Sequence, residues 1–316
     1  MSLTLELTLP FFAVVGLGWL AARLGWLPDG GVRAINVFVF NFAMPALVVN
    51  ALARQAPADL LDGRLLVGWA GVAIALYAGS FLFARLVLQD TRAPAALFAQ
   101  AASVGNLGFL ALPLLVVAVG DRVAVPFSVV LIVDLVLVIP VSIVLVETAG
   151  GRSGGGVGTA AAKALRGAVA NPFFAAIALS CLLAFSGIGV PDPASRFVTF
   201  LAGAAGPAAL FSLGATLAAR RVAGDAVPIA SATILKLAVH PIAVWIVLGW
   251  LDVDAFTRAV AAVLAAMPIA GNVFVIAQNY ATSVRRLSAA IVVSTMIAVV
   301  TVALALEWTG LAVQPS

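Results

Sequence analysis

Residues 265–280 read AAMPIAGNVFVIAQNY. The apolar pattern asks here for a transmembrane helix, yet Pro268, Gly271 and Asn272 fall within five residues of one another. Proline removes a backbone donor, glycine weakens a helix, and asparagine is costly in hydrocarbon. Non-helical backbone is tolerated at membrane depth only where it is buried in protein or lines a wet cavity. The stretch therefore reads as a span broken in its middle.

Composition agrees with a membrane setting. The 316 residues are 64% hydrophobic and 9% charged, with a mean hydropathy of +1.18. A soluble domain carries about 25% charged residues, so the chain reads as a polytopic membrane protein, with the lipid bilayer as its first partner. The single cysteine, Cys181, excludes an internal disulfide framework. The formal charge of +4 comes without a basic cluster and gives no support to nucleic-acid binding.

About ten apolar stretches are long enough to span, at about 20 residues each. They lie near 3–24, 34–53, 65–88, 94–119, 123–146, 169–188, 196–219, 227–250, 257–280 and 287–307. The first has no positive leader region and carries Glu6, so it reads as a span and not a signal peptide. The longest connection, ETAGGRSGGGVGTAAAKALRG, reads as a flexible cytoplasmic linker and lacks the G-K-[ST] of a P-loop. With the N-terminus outside, inside connections hold 11 Lys and Arg residues and outside ones hold 5. The positive-inside rule then places both termini outside.

The chain also repeats itself. PFFAVVGLGWLAARLGW from Pro10 matches PFFAAIALSCLLAFSGI from Pro172, and Pro45 in MPALVVNAL matches Pro207 in GPAALFSLG, both at a shift of 162. Asn106 in GNLGF matches Asn272 in GNVFV at a shift of 166. Residues 1–147 and 167–316 become two five-span repeats joined by a linker over 148–166. An odd number of spans inverts the second copy, the usual build of a secondary transporter. The fourth span, FAQAASVGNLGFLALPLLVV, is then the broken counterpart of the ninth. Paired broken spans point to a substrate site, and half-helix N-termini aimed at it suit an anion. Asn106 and Asn272 would supply amide donors and acceptors there.

The segments NFAMPALVVNAL, SVGNLGFLALPLL, NPFFAAIAL, SLGATLA and MPIAGNVFVIAQNY resemble the signature segments of the auxin efflux carrier family, which includes plant carriers and bacterial malate or malonate permeases. The resemblance covers nearly the whole chain. It implies an all-α fold of ten helices, shared with bile-acid sodium symporters. A scaffold and a transport domain are implied too, with broken helices four and nine crossing near the midplane. It also implies an organic anion, often a carboxylate, as substrate, and a homodimer. Carried over by position, the crossover holds Gly105, Asn106 and Pro113, with Pro268, Gly271 and Asn272 opposite. In the ninth helix Val273 stands where plant carriers have a proline. The long cytosolic loop of many plant members is absent.

Further polar residues lie within the spans. Asp134, in VLIVDLVLVIP, is a coupling-ion candidate or a structural hydrogen-bonding group. Lys236 and His240 sit four apart on one helix face. Lys236 could hold a substrate carboxylate or neutralise Asp134, although lysines near span ends also snorkel. His240 is a proton-coupling candidate, its unperturbed pKa lying near neutrality. Asn41, Ser103, Ser212 and Gln278 could line the pathway, Gln278 also as a coupling-ion candidate, and small polar groups also serve as helix glue. Pro45 and Pro207, like Pro113 and Pro268, mark helix breaks. The expected function is a secondary carrier for a small organic anion such as malate, malonate or an auxin-like acid. It would work by alternating access, with a proton or sodium as coupling ion and no other cofactor. Potential-driven uniport or a channel is the alternative. One histidine, one cysteine and one mid-span Asp in separate segments make no enzyme site or metal centre.

Overall fold

A computed structural model of the chain describes residues 3–53, 55, 63–149, 156–186, 190–220 and 225–311. Arg54, Arg152 and Arg221 of the charge count lie outside these residues, as do the side chain of Glu6 and part of the linker. The described residues form helices joined by turns and short irregular segments, with one isolated β-bridge. Thirteen helices can be followed in chain order. The first six are α1 (Leu3–Arg23), α2 (Gly31–Leu52), α3 (Gly63–Leu86), α4 (Arg92–Ser103), α5 (Leu107–Val119) and α6 (Asp121–Ala149). The next four are α7 (Gly156–Val169), α8 (Pro172–Ser186), α9 (Asp192–Ala218) and α10 (Ala226–Trp250). The last three are α11 (Ala255–Ala265), α12 (Asn272–Asn279) and α13 (Val284–Trp308). Six of them, α2, α3, α6, α9, α10 and α13, are long and apolar enough to cross a membrane unaided. Among the described residues, the pair α7 and α8, bent by 60°, can be read as a seventh.

The outer surface is apolar. Phe200 is 88% exposed and Trp250 81%, and Leu182, Met296 and Val117 also face outward. Water would penalise such a surface, whereas lipid tails are as apolar as these side chains.

Two sets of helices are visible in the packing. In one, α1 lies along the second half of α9, and α2 packs on α8 and the first half of α9. In the other, α3 packs on α4 and α10, and α10 packs on α11 and α13. The α1–α9 crossing is close because it is made by glycines. A Cβ on Gly18 would lie 2.0 Å from the Phe211 carbonyl oxygen, and one on Gly214 would lie 1.8 Å from that of Val15. No side chain larger than hydrogen fits at either place.

Four helices contain a π-helical turn, and each turn is followed, after one intervening residue, by proline. Val39–Ala43 precedes Pro45, Leu107–Ala111 precedes Pro113, Asp134–Val138 precedes Pro140, and Leu235–Val239 precedes Pro241. A proline ring clashes with the carbonyl four residues back and has no N–H to give it. Widening the preceding turn relieves the clash without ending the helix. Asn41, Asp134 and Lys236 all sit in such turns.

The linker expected to be flexible contains a helix, since Gly156–Val169 forms α7. Its alanines favour helix, and Ala160, Ala164 and Ala168 are buried along one face, which packs against α6. Pro207 lies in the first turn of the second half of α9. Ala204 between the two halves keeps right-handed helical backbone angles, and the proline stands three residues beyond it.

Candidate functional site at two paired helix breaks

The helix α4 ends at Ser103 and α5 begins at Leu107, while α11 ends at Ala265 and α12 begins at Asn272. The two gaps lie against each other. The Asn106 N–H donates to the Pro268 carbonyl at 2.8 Å, and the Ala270 N–H donates to the Val104 carbonyl at 3.2 Å. Gly105 and Ile269 form an antiparallel β-bridge. Each break thus supplies backbone hydrogen bonds that the other has lost, which is the condition for irregular backbone inside a membrane. A further bond at the breaks runs from the Ile269 N–H to the Ser294 hydroxyl at 3.2 Å.

The helix ends at the breaks are treated differently by sign. At the N-terminal end of α5, the Asn106 side chain accepts from the Phe109 N–H at 3.3 Å. At the C-terminal end of α11, Lys236 Nζ donates to the Ala265 carbonyl. A cation against the last carbonyls of a helix complements its dipole. Lys236 also lies 3.1 Å from His240 Nδ1, and its Cε and Nζ would each be 3.2 Å from a Cβ on Gly105. Gly105 is therefore the residue that lets this amine approach the breaks from behind.

A cavity of about 1970 Å³ opens in front of them. Its inner end is formed by Gly105, Asn106, Gly108, Gly271 and Asn272, with Asn41 and Asp134 on its walls. Farther out lie Arg33, Glu147, Lys163, Arg220, Gln278 and Tyr280. The lining residues of α2 and α9 come from the half of each helix nearest Arg33 and Arg220, and those of α6 run from Leu131 near its middle to Glu147. The cavity thus reaches the breaks from one side.

Of the residues expected at the site, Asn41, Gly105, Asn106, Asp134, Gly271, Asn272 and Gln278 are brought together around this space. Others are not part of its wall. Ser103 and Ser212 are buried and donate to the Ala99 and Ala209 carbonyls of their own helices. Lys236 and His240 are fully buried behind the breaks, where the His240 ring lies 5.1 Å from that of Trp69. Pro268 lies within a break, whereas Pro113 and Pro45 belong to the π-turns described above.

Asp134 bridges the two environments. It is 1% exposed, lines the cavity, and faces Lys236 and the Trp69 indole N–H, with neither carboxylate oxygen in hydrogen-bond geometry. The sequence suggested the pairing with Lys236 but held no sign of Trp69.

Two features at the outer cavity escaped the sequence. Glu147 accepts from Lys163 at 2.7 Å and from the Tyr280 hydroxyl at 2.5 Å, so it ties α6 to α7 and to the end of α12. Arg220, counted in the sequence only as a loop cation, lies with its guanidinium 4.0 Å from the Phe274 ring centre. Burial pulls its pKa down to about 10, which leaves it charged at neutral pH.

Comparison with known proteins follows the same outline. The profile of a family described as "Membrane transport protein" matches residues 3–155 and 158–306. A Rhizobium meliloti (strain 1021) protein named "Putative malonate transporter" is 31% identical over 297 residues, covering 94% of this chain and 92% of that one. The "Uncharacterized transporter YfdV" of Escherichia coli (strain K12) is 28% identical over 300 residues, covering 93% of each chain.

Proposed function

Because the chain belongs to the membrane transport protein family, the auxin efflux carriers that its signature segments resemble, we propose that it is a secondary carrier for a small organic anion of the malonate class, working by alternating access. The observation that carries this reading is the pair of mutually hydrogen-bonded helix breaks at the closed end of a one-sided cavity. Helix N-termini and two asparagines face that space, and both suit a carboxylate. The name of the Rhizobium relative supports the substrate class.

Ten membrane crossings, with α4–α5 and α11–α12 each acting as one broken span, fit the described helices. The division into repeats at 1–147 and 167–316 draws support from the packing. Residues of α1 meet those of α9, and residues of α8 meet those of α2, so each first or second span packs on its counterpart's neighbour. The breaks meet each other, as symmetry-related elements on a pseudo-twofold axis would. In this reading α1, α2, α8 and α9 form the scaffold, and the other set moves.

The positive-inside count puts the cavity mouth, with Arg33, Lys163 and Arg220, in the cytoplasm. The conformation is then inward-facing, and the cations draw anions to the mouth. Asp134, charged or protonated beside Lys236, is the group we assign to coupling, with a proton as the coupling ion. The assembly in the bacterial inner membrane is a homodimer, on the family resemblance alone.

Thermal unfolding of the purified carrier with a panel of carboxylates tests the reading, because a ligand that binds the folded state raises the midpoint. A rise with malonate or a close analogue, lost in Asn106→Ala and Asn272→Ala, is expected. A carrier stabilised only by neutral or cationic compounds contradicts it.

A further inference from the structure

We propose that Arg220 binds the second carboxylate of a short dicarboxylate whose first carboxylate lies at the paired breaks. The proposal rests on the organic-anion reading and adds the residue that would make the site prefer a dianion. Arg220 stands two residues beyond the end of α9 and lines the cavity. Its guanidinium stacks on Phe274, which stands two residues after Asn272 in the first turn of α12. Asn106, Asn272, Phe274 and Arg220 all line the same cavity, so both anchors open onto one space.

The state of the guanidinium is the second observation. Its Nη1 is buried and has no hydrogen-bond partner among the described residues. Three acids near this end face other groups. Glu147 is held by Lys163 and Tyr280, Asp90 by Arg286 at 2.6 Å, and Asp225 lies 4.0 Å from the same Arg286. An unpaired buried donor on a charged group is costly, and the cost vanishes when an anion enters. The planar fork of arginine matches a carboxylate with two parallel hydrogen bonds, which a lysine cannot reproduce. Stacking on Phe274 holds that fork in place before the ligand arrives. A monocarboxylate would fill only the inner position and leave Nη1 unpaired.

The test measures affinities of malonate, succinate and acetate for the purified full-length carrier, from the ligand dependence of its melting midpoint. It compares wild type with Arg220→Gln, Arg220→Lys and Asn106→Ala. Arg220→Gln should weaken malonate by about tenfold or more and leave acetate unchanged. Arg220→Lys should lose part of the malonate affinity and none of that for acetate. If Arg220→Gln does not fold, Arg220→Lys decides by the same criterion. Unchanged malonate affinity, or an equal loss for malonate and acetate, overturns the proposal. Malonate binding that falls in Asn106→Ala but not in the arginine variants removes this inference and leaves the carrier reading standing. Absence of any carboxylate binding to wild type removes both.

Discussion

Asn106 serves structure and site together. Its backbone N–H is spent on Pro268, its side-chain oxygen caps α5, and it forms part of the cavity's inner end. Asn106→Asp keeps the capping oxygen and adds a negative charge where an anion should sit. The folded protein should persist, with a midpoint within a few degrees of wild type, while malonate uptake into proteoliposomes falls at least tenfold. Retained uptake would mean that the substrate does not approach this end. Lys236 makes a different prediction. It is sealed behind Gly105 with Asp134 as its charged neighbour. Lys236→Met should lower stability by about 3–5 kcal/mol, because a buried carboxylate loses its cation. Adding Asp134→Asn should recover much of that loss, a coupling that unfolding of the four proteins in a double-mutant cycle would measure. Additive losses would show that the two groups do not sense each other. The sequence placed Lys236 at membrane depth but could not tell which helix face turns to the cavity. Neither spacing nor composition could bring Arg220 to Phe274, since 54 residues separate them.

At the scale of elements, the breaks were legible and the π-turns were not. Proline, glycine and asparagine in five apolar residues announce a break with a physical reason attached. The π-turns carried a quieter signal in the same sequence, a polar residue four to six positions before a proline. Asn41 precedes Pro45, Asp134 precedes Pro140 and Lys236 precedes Pro241. If proline enforces the wide turn, Pro140→Ala restores a donor for the Val136 carbonyl and lets α6 regularise. The melting midpoint should hold or rise while transport falls, as Asp134 turns out of its place. Loss of stability with full transport per folded molecule would contradict the idea. The close crossing of α1 and α9 gives a sharper contrast. Gly214→Ala drives a methyl group into the Val15 backbone and should cost about 1–3 kcal/mol or more, seen as a falling midpoint and yield. Gly16→Ala, where a Cβ meets nothing within 4 Å, should be close to neutral or slightly stabilising. The helix α7 was misread as linker because glycines at its start hid the alanine face that packs on α6.

For the whole molecule, the carrier reading requires that the two helix sets exchange the opening of the cavity between the membrane faces. Composition and spacing made the membrane class and the broken spans plain, whereas the one-sidedness of the cavity depends on packing that no local pattern encodes. Counterflow tests the claim most directly. Proteoliposomes loaded with unlabelled malonate are placed in a trace of labelled malonate, and the transient uphill entry of label is followed. The account predicts a saturable overshoot with wild type, lost in Asn106→Ala and Asn272→Ala. Flux that equilibrates without overshoot and never saturates would make the protein a channel, and an overshoot unchanged in both variants would place the substrate away from the paired breaks.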